Sequence, residues 1–600
     1  MIYRLQRYKL FLLNVRKKSL FLRHIKIKQQ NKLISMKKNF LSFMILLLFI
    51  SQIWAQSPAK YWVQFKDKQG TPYSIEKPED FLSQKAIERR AKFNIPITVQ
   101  DLPVNPTYVQ KVLSLDTGIV LFTQSKWLNG ITIYSEKENI IEDIKKLDFV
   151  IFVEKTIPMK EAEEKITEVY KYVNPNPPIL PTTLPLDMDY GLSYGQIKIN
   201  NIHWLHRMGF NGTGINMMIL DGGFQNIDTI RHFEFLRQQN RLQGAKHIVA
   251  PSANPFKAGS HGTMVLSCIA SYIPGEHIGT APGVTVWLTQ TEDGRSENKI
   301  EEDNWVAGIE YADSLGCYVI NSSLGYTKFD DSTQVRKYSD LNGKVSRASI
   351  AASFVASKGM ILCNSAGNEG NNDWHYIGCP ADATDIITVG GVNVYGKRAN
   401  FSSYGPTADG RIKPDAVAVG REAYVANPRG ITLRADGTSF SSPLMSGMVA
   451  CLWQAFPEKN AYQIMEAIRK SGDRAAAPDS SLGYGITDFL KAYNLLLQTI
   501  EIKDLNIEIK NFVIDENKIP FTITVSEPKE IVIVTSCRAN PEKMKIKKIK
   551  LKAGKNDLKI KTPKLQKQLK YDFIDLKINE ITNDKIQIHY VFGIERPENI

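Results

Sequence analysis

The chain has few cysteines, no long apolar run and no metal-ligand spacing, which are the sequence features that assign many proteins to a class. It has six cysteines in 600 residues, which is few for a secreted protein, and their pairing cannot be read from the sequence. Its apolar run at residues 40–50 is too short for a comfortable membrane span, and the lack of a cysteine after it argues against a lipoprotein anchor. No group of side chains has the spacing of a metal site, so we predict no metal ligand.

The positive charge of the chain is concentrated at its N-terminal end. The formal net charge is +14, but the first 35 residues contain ten Lys or Arg and no acidic residue, which leaves +4 for the rest of the chain. No basic patch with interleaved aromatic residues stands out in the region that carries the chemistry. We therefore expect no nucleic-acid partner.

The N-terminal region has the pattern of a signal peptide. A charged start at Met36 is followed by the apolar run and then by Ala55, a small residue at a plausible cleavage point. We predict that residues 36–55 are a signal peptide, that residues 1–35 are an upstream extension, and that the protein is secreted to the periplasm or the medium without a stable membrane span. An uncleaved membrane anchor is the alternative.

One segment indicates a nucleophilic serine. Residues 436–443 read Asp-Gly-Thr-Ser-Phe-Ser-Ser-Pro and precede an apolar run at 444–453 that is typical of a buried helix. Pro443 fits a helix best in its first turn, where a missing N–H costs little. This places Ser439 at the helix N-terminus, where its own N–H could bind a developing oxyanion. The alternative is an N-capping serine.

A serine hydroxyl needs a base, and the chain offers a histidine and an acid. The apolar residues 215–220 indicate a buried parallel strand that ends at Asp221. An unpaired carboxylate costs too much to bury there without a purpose. His261 lies in the first turn of another apolar helix. A lone histidine is more often a core or surface residue, but the three patterns together favour nucleophilic catalysis.

These three segments resemble the signature blocks of the subtilisin-like serine proteases. They read Asp-Gly-Gly at 221–223, His-Gly-Thr at 261–263 and Gly-Thr-Ser-Phe-Ser-Ser-Pro at 437–443, in that family's order of Asp, His and Ser. The similarity runs from about residue 190 to 497, which is a whole domain. Gly222 departs from the pattern, since the family usually has Ser or Thr there, but the catalytic groups are in place.

The resemblance implies roles for individual residues. Asp221, His261 and Ser439 would form a catalytic triad. Segment 361–370 resembles the strand and turn that carry the family's oxyanion asparagine, which implies that role for Asn368. Segment 319–325 resembles the strand that pairs with the substrate backbone. The implied substrate-binding residues are Ser323, Leu324, Gly325, Ala366 and Gly367.

The implied activity is that of a secreted serine endopeptidase. It would hydrolyse peptide bonds of protein or peptide substrates through an acyl-enzyme intermediate, as a monomer. A catalytically inactive binding or adhesion module on the same fold is the alternative, and the intact residues argue against it. The resemblance suggests calcium as a cofactor, but no loop matches a ligand pattern closely enough to assign residues.

The catalytic region has folded units on both sides. Residues 56–155 alternate as strand-helix-strand-strand-helix-strand, which favours a small α+β domain. Its position resembles that of the inhibitory propeptide of subtilisin-like enzymes, so we expect a self-processing zymogen with its own propeptide as a partner. A permanent accessory domain is the alternative. Residues 156–190 are proline-rich and typical of a linker.

The two remaining domains differ in the pattern of their apolar residues. Strands that alternate with helices over 191–497 predict an α/β fold with a doubly wound, mainly parallel sheet. Short alternating runs over 501–600 predict a β-sandwich-like domain. Its location is similar to that of C-terminal secretion-sorting domains of bacterial proteases, although their turn signature is missing.

Four of the cysteines lie in or beside the segments that carry the proposed chemistry, and whether any of them pair stays open. Cys363 and Cys379 bracket the proposed oxyanion turn, where a bridge would stabilise the loop by roughly 3 kcal/mol. Cys268 and Cys451 lie in the two apolar helices that follow the histidine and the serine. We expect both to be buried free thiols.

Overall fold

A computed structural model of the chain describes residues 58–158, 170–171, 183–497, 505–509, 518–564, 571–580 and 588–595, and isolated residues before 58. The predicted upstream extension and signal peptide therefore lie almost entirely outside the described residues, as does most of the predicted linker. In the described part of the chain, no helix is both long and apolar enough to cross a membrane.

The N-terminal domain is built on a four-stranded antiparallel sheet with the strand order β2-β3-β1-β4. Helices α2 and α3 pack against this sheet through its apolar core. The elements are β1 (Ala59–Phe65), α1 (Gln84–Lys92), α2 (Pro106–Leu113), β2 (Val120–Ser125), β3 (Gly130–Ser135), α3 (Ile140–Lys145) and β4 (Val150–Pro158).

The helices of this domain differ from the predicted order. The sequence 78–90 predicts one helix that starts at Pro78, but Pro78–Asp80 forms a 3₁₀ turn and α1 begins after Ser83, whose hydroxyl accepts the N–H of Ala86. A serine cap of this kind fixes a helix start. Helix α2 was not predicted, although Asn105 caps it and Pro106 is its first residue. An Asn-Pro pair before an apolar helical period is a start signal that could have revealed it.

The catalytic region is an α/β domain around a seven-stranded parallel sheet. The strand order is β13-β12-β11-β10-β5-β9-β6. The strands of this sheet are β5 (Asn216–Asp221), β6 (Leu242–His247), β9 (Thr285–Gln290), β10 (Val319–Ser322), β11 (Ile361–Ser365), β12 (Ile387–Val392) and β13 (Ala416–Val419).

Helices cover both faces of this sheet, and two short antiparallel pairs lie beside it, β7 (Tyr272–Ile273) with β8 (His277–Ile278) and β14 (Ala423–Ala426) with β15 (Thr432–Ala435). The helices are α4 (Tyr194–Lys198), α5 (His203–Arg207), α6 (Glu234–Gln238), α7 (His261–Ala270), α8 (Ile300–Ser314), α9 (Arg347–Phe354), α10 (Thr438–Ala455), α11 (Ala461–Ser471) and α12 (Phe489–Leu497).

Strand β5 explains why the sheet is covered on both sides. Met217 and Ile219 belong to the core shared with α7 and α10. Met218 and Leu220 belong to the core shared with α8 and α9. Successive side chains of a strand point to opposite faces, so a continuous apolar strand needs helices on both. The predicted doubly wound fold is confirmed.

The order of the strands reverses between β5 and β10. From β5 the chain passes to the edge strand β6 and returns to β9 beside β5, and from β10 it continues on the other side of β5 to β11, β12 and β13. In open parallel sheets, ligands bind at the carboxyl ends of the strands next to such a switch point. Asp221 is the last residue of β5 and Ser322 is the last residue of β10.

The C-terminal domain consists of two antiparallel sheets that share one apolar core, as predicted. The strands are β16 (Leu505–Ile509), β17 (Lys518–Val525), β18 (Lys529–Cys537), β19 (Asn540–Leu551), β20 (Gly554–Lys561), β21 (Tyr571–Glu580) and β22 (Ile588–Glu595). Trp204 of α5 packs edge-on against Phe573, with ring centroids 5.5 Å apart. The side chain of Asn494 hydrogen-bonds the backbone of Val591, so the domain is docked on the catalytic region.

All six cysteines are free and buried. The possible bridge between Cys363 and Cys379, which the sequence left open, is therefore not formed. Cys363 lies inside β11, and its side chain is part of the core beneath the sheet. Cys379 belongs to a separate small apolar cluster. Cys268 and Cys451 are buried free thiols, as predicted.

Candidate active site

Helix α10 positions the proposed nucleophile. It begins at Thr438, so Ser439 is its second residue and Pro443 its sixth. The prediction that Pro443 lies in the first turn is wrong. A proline inside a helix has no N–H for the carbonyl four residues earlier, which here is the carbonyl of Ser439. The hydroxyl of Ser323 donates a hydrogen bond to that carbonyl at 2.9 Å and replaces the missing donor.

The proposed acid and base contact each other directly. His261 Nδ1 lies 2.9 Å and 3.0 Å from the two carboxylate oxygens of Asp221. Asp221 is fully buried, and the N–H of Gly222 donates to its Oδ1 at 2.8 Å. The negative charge of Asp221 raises the pKa of His261 above its ordinary value. The other ring nitrogen, Nε2, is thereby left for a reacting group.

Ser439 and His261 occupy the starts of two helices that pack against each other. The ring of Phe440, the residue after the serine, has its centroid 6.1 Å from that of His261. Ser439 is 9% exposed, and within the described chain its Oγ makes no hydrogen bond to His261. Catalytic hydrogen bonds are often long before substrate binds and tighten in the complex.

Asn368 is exposed at the turn after β11, with its amide held in one orientation. Its Oδ1 accepts the backbone N–H of Thr438 at 2.9 Å and lies 3.0 Å from the Thr438 hydroxyl. Its Nδ2 has no hydrogen-bond partner among the described residues. An amide with a fixed oxygen and a free N–H can donate to a charge that develops beside Ser439. Sequence reasoning missed the role of Thr438, although it precedes the serine in the same motif.

A buried asparagine, Asn321, links the end of β10 to α10 through side-chain hydrogen bonds. Asn321 Oδ1 accepts hydrogen bonds from the hydroxyls of Ser442 and Ser446, each at 2.9 Å. Its Nδ2 donates to Ser323 Oγ at 3.2 Å. These bonds fix the end of β10 relative to the first turns of α10. The sequence does not reveal this role of Asn321, because Ser442 and Ser446 lie more than 100 residues away.

The predicted substrate-binding residues differ in accessibility. Ser323, Leu324 and Gly325 follow β10 and belong to no strand pair. Their backbone is held from one side by Asn364, whose Nδ2 donates to Leu324 O at 3.2 Å. Ala366 is fully buried and its N–H donates to Val389 O, so its side chain cannot reach a substrate. The neighbouring Gly367 is half-buried, as is Leu324.

A second acidic side chain lies beside the Asp221 turn. Glu292 accepts hydrogen bonds from Thr291 Oγ1 at 2.7 Å and from the hydroxyl of Tyr326 at 2.8 Å. Burial raises the pKa of Glu292 to about 8. A neutral Glu292 avoids a second negative charge near the carboxylate that orients His261. Sequence reasoning did not identify this residue.

The acidic, histidine and cysteine side chains of the described residues form no metal-binding cluster. No group of three or more His, Cys, Asp or Glu side chains among them is arranged to hold a metal ion.

Comparison with known proteins gives consistent results. The profile of the subtilase family, Peptidase_S8, matches residues 114–485. The thermostable alkaline protease of Halalkalibacterium halodurans is 25% identical over 387 residues, which is 63% of this chain and 96% of that protein. Subtilisin NAT of Bacillus subtilis subsp. natto is 27% identical over 286 residues, 47% of this chain and 65% of its own length.

Similar chains were also found among the solved structures. The MycP3 protease from the type VII (ESX-3) secretion system is 18% identical, with a TM-score of 0.41 over 53% of this chain and 90% of that one.

Proposed function

Because the chain belongs to the subtilase family and is a serine endopeptidase, we propose that Ser439, His261 and Asp221 are its catalytic triad. The observation that carries this assignment is the paired contact of His261 Nδ1 with both carboxylate oxygens of Asp221. This contact fixes the ring and its tautomer, so that Nε2 can accept a proton.

The chemistry follows from these positions. Ser439 Oγ attacks the scissile carbonyl carbon while His261 Nε2 takes the hydroxyl proton. The resulting oxyanion is stabilised by Asn368 Nδ2 and by the backbone N–H of Ser439. The C–N bond then breaks as His261 gives its proton to the leaving amine, and a water molecule hydrolyses the acyl-enzyme by the same sequence.

The proposed substrates are extended segments of proteins. The backbone at 323–325 belongs to no strand pair and is suited to binding a peptide as an added strand, which gives affinity without selecting side chains. We therefore expect broad specificity. Digestion of a peptide library tests this, and cleavage confined to a single sequence motif would contradict it.

A catalytically inactive binding module on the same fold is the rival hypothesis. A fluorophosphonate probe separates the two, because it reacts only with an activated serine. The wild-type protein should be labelled and the Ser439→Ala variant should not. Failure of the correctly folded wild type to react would reject the triad assignment.

We also propose that the protein is exported as a zymogen that cuts itself between residues 154 and 190. The order of segments supports this, with an apolar N-terminal stretch, a compact α+β domain and a proline-rich linker before the triad domain. The N-terminal sequence of secreted wild type should fall in that interval, whereas Ser439→Ala should keep the α+β domain attached. Identical N-termini just after Ala55 in both proteins would refute self-processing.

A further inference from the structure

One side of the C-terminal domain carries an excess of positive charge. Strands β19 and β20 are each the last strand of their sheet, and they follow each other along the chain. Residues 540–561, which contain both strands, have nine lysines and two acidic residues, a formal charge of +7. Because the chain beyond residue 35 carries +4 in total, its other residues together carry −3. We call residues 540–561 the basic edge.

Most lysines of β19 have no acidic neighbour. Every residue from 541 to 548 is exposed. Lys550 pairs with Glu530 of β18 at 2.8 Å. Within the part of the chain that the structure describes, no ion pair is formed by Lys543, Lys545, Lys547 or Lys548. Their repulsion for one another is therefore not offset by the protein, and a negatively charged partner would relieve it.

An apolar patch lies among these lysines. Met544 is 52% exposed and Ile546 is 62% exposed. Ile546 pairs with Val534 of β18, and Lys548 pairs with Val532. Both valines are half-buried, whereas the alternate residues of β18 belong to the core of the sandwich. Since alternate residues of a strand share a face, these four apolar side chains lie together on the outer face of the sheet.

The catalytic domain covers only the opposite end of this outer face. In the sheet order β19-β18-β21-β22, Phe573 of β21 and Val591 of β22 belong to the core of the catalytic domain. Lys577 of β21 pairs with Val534 and borders the apolar patch on that side. Met544 and Ile546, on the far strand, stay exposed. A partner can therefore bind the patch without displacing the catalytic domain.

The combination of apolar and basic side chains distinguishes between possible partners. Lysines on an edge strand prevent its pairing with another chain, but the exposed Met544 and Ile546 do not serve that purpose. A soluble polyanion would use the charge and leave both apolar side chains in water. A second copy would bring two basic edges together, which their repulsion opposes. A bilayer with anionic lipids uses both features, because apolar side chains enter its interface and lysines remain near the phosphates.

We propose that the basic edge docks the protein on the surface of a bilayer that contains anionic lipids. Ile546 and Met544 would enter the boundary between headgroups and acyl chains, and the lysines around them would bind the lipid phosphates. Two weak signals of this kind together give stable binding where one alone is marginal. The docking does not depend on the triad assignment. If that assignment is also correct, the protease acts on proteins at a membrane surface.

Binding to vesicles of defined composition tests the proposal. The chain from Gln56 onward keeps all three domains and omits residues 1–55, whose basic and apolar residues would bind lipid themselves. Ser439→Ala in this chain prevents self-digestion. It should sediment with vesicles that contain roughly 30% phosphatidylglycerol, but not with pure phosphatidylcholine, and binding should weaken as salt screens the lysines. Equal binding to both kinds of vesicle, or binding to neither, would overturn the proposal.

Two matched sets of variants test the role of the lysines. Replacing Lys545, Lys547 and Lys548 together by Gln should lower the affinity for the anionic vesicles by roughly 10²-fold, since each lysine near such a surface contributes about fivefold. The control replaces three exposed lysines of the catalytic domain by Gln and removes the same net charge; these are Lys344, Lys397 and Lys491. The control should bind nearly as the parent does. Equal losses in both sets would show that net charge alone acts and would contradict the assignment.

A second pair of changes separates a bilayer from a soluble polyanion. Met544→Ser combined with Ile546→Ser should lower vesicle affinity by roughly tenfold and leave binding to dextran sulfate unchanged. Unchanged vesicle binding would reject the bilayer in favour of an acidic polymer. Self-association of the parent without lipid binding would identify a second copy as the partner and reject the proposal. If a variant does not fold, the comparison of the parent on the two kinds of vesicle decides the question.

Discussion

The hydroxyl of Ser323 donates a 2.9 Å hydrogen bond to the carbonyl oxygen of Ser439. This bond joins the substrate-binding segment to the residue that carries the nucleophile. It exists because Pro443 cannot supply the helical N–H that this carbonyl would otherwise receive. The proline and the serine, 120 positions apart in sequence, thus form one structural unit.

Ser323→Ala should lower the free energy of unfolding by about 1–3 kcal/mol, because it leaves a buried carbonyl without a donor. Denaturant unfolding in a Ser439→Ala background, which avoids self-digestion, measures this. Ser441→Ala is the control, since the Ser441 hydroxyl is buried without a hydrogen-bond partner in the described structure and its loss should cost little. A cost that is no smaller after Pro443→Ala would contradict the link between the two residues.

Asn368→Ala should lower kcat by roughly 10²- to 10³-fold with little change in KM, a magnitude known from another member of the family. The amide binds charge that exists only in the transition state. Steady-state kinetics on a peptide substrate checks this. Asn372→Ala, an exposed amide four residues later that bonds Glu369, should leave both constants unchanged. A rise in KM alone would argue for simple substrate binding by Asn368.

Thr438→Val should lower kcat by about tenfold and leave KM nearly constant. The change keeps the size of the side chain and the backbone N–H that bonds Asn368, but it removes the hydroxyl near Asn368 Oδ1. The hydroxyl also accepts the N–H of Gly367 at 3.2 Å, and each lost hydrogen bond is worth about 1 kcal/mol, so the Asn368 amide should then sample orientations that cannot donate to the oxyanion. Kinetics of Thr438→Ser, which restores the hydroxyl, should recover most of the activity. No recovery would indicate a packing effect instead.

The rate of reaction with a fluorophosphonate should fall as the pH drops through a midpoint above 6.5. The Asp221 carboxylate raises the pKa of His261, and a protonated imidazole cannot accept the proton of Ser439. Asp221→Asn should move the midpoint to lower pH, as well as slow the reaction by up to roughly 10⁴-fold. A midpoint that is unchanged in this variant would show that Asp221 does not govern the titration.

The triad motifs could be found from sequence because each catalytic residue lies in a short local pattern at a strand end or helix start. Asn321 could not, since its role depends on serines that meet it only in the folded chain. The position of Pro443 was mispredicted for a related reason. A proline in a helix interior is unfavourable locally, and the compensating donor, Ser323, belongs to another element.

The interface between the N-terminal domain and the catalytic domain also could not be predicted from the sequence. Arg89 and Asp313 form a buried ion pair but are 224 positions apart, and α1 reads as an ordinary charged amphipathic helix. Burial of its arginines becomes understandable only when Asp313, Cys317 and Lys358 are seen to converge on one side of the sheet. Local periodicity predicts a helix, but not which of its charges will be covered.

The absence of disulfides turns the six thiols into internal reporters. A thiol reacts with maleimides as its thiolate, and burial raises the pKa of Cys317 and of Cys363 to about 12 in each case. The folded protein should therefore react very slowly with such a reagent. In mild denaturant, the order in which the cysteines are labelled should show which part of the molecule unfolds first. Cys317 would report the edge beside α1, Cys363 the centre of the sheet and Cys537 the C-terminal sandwich.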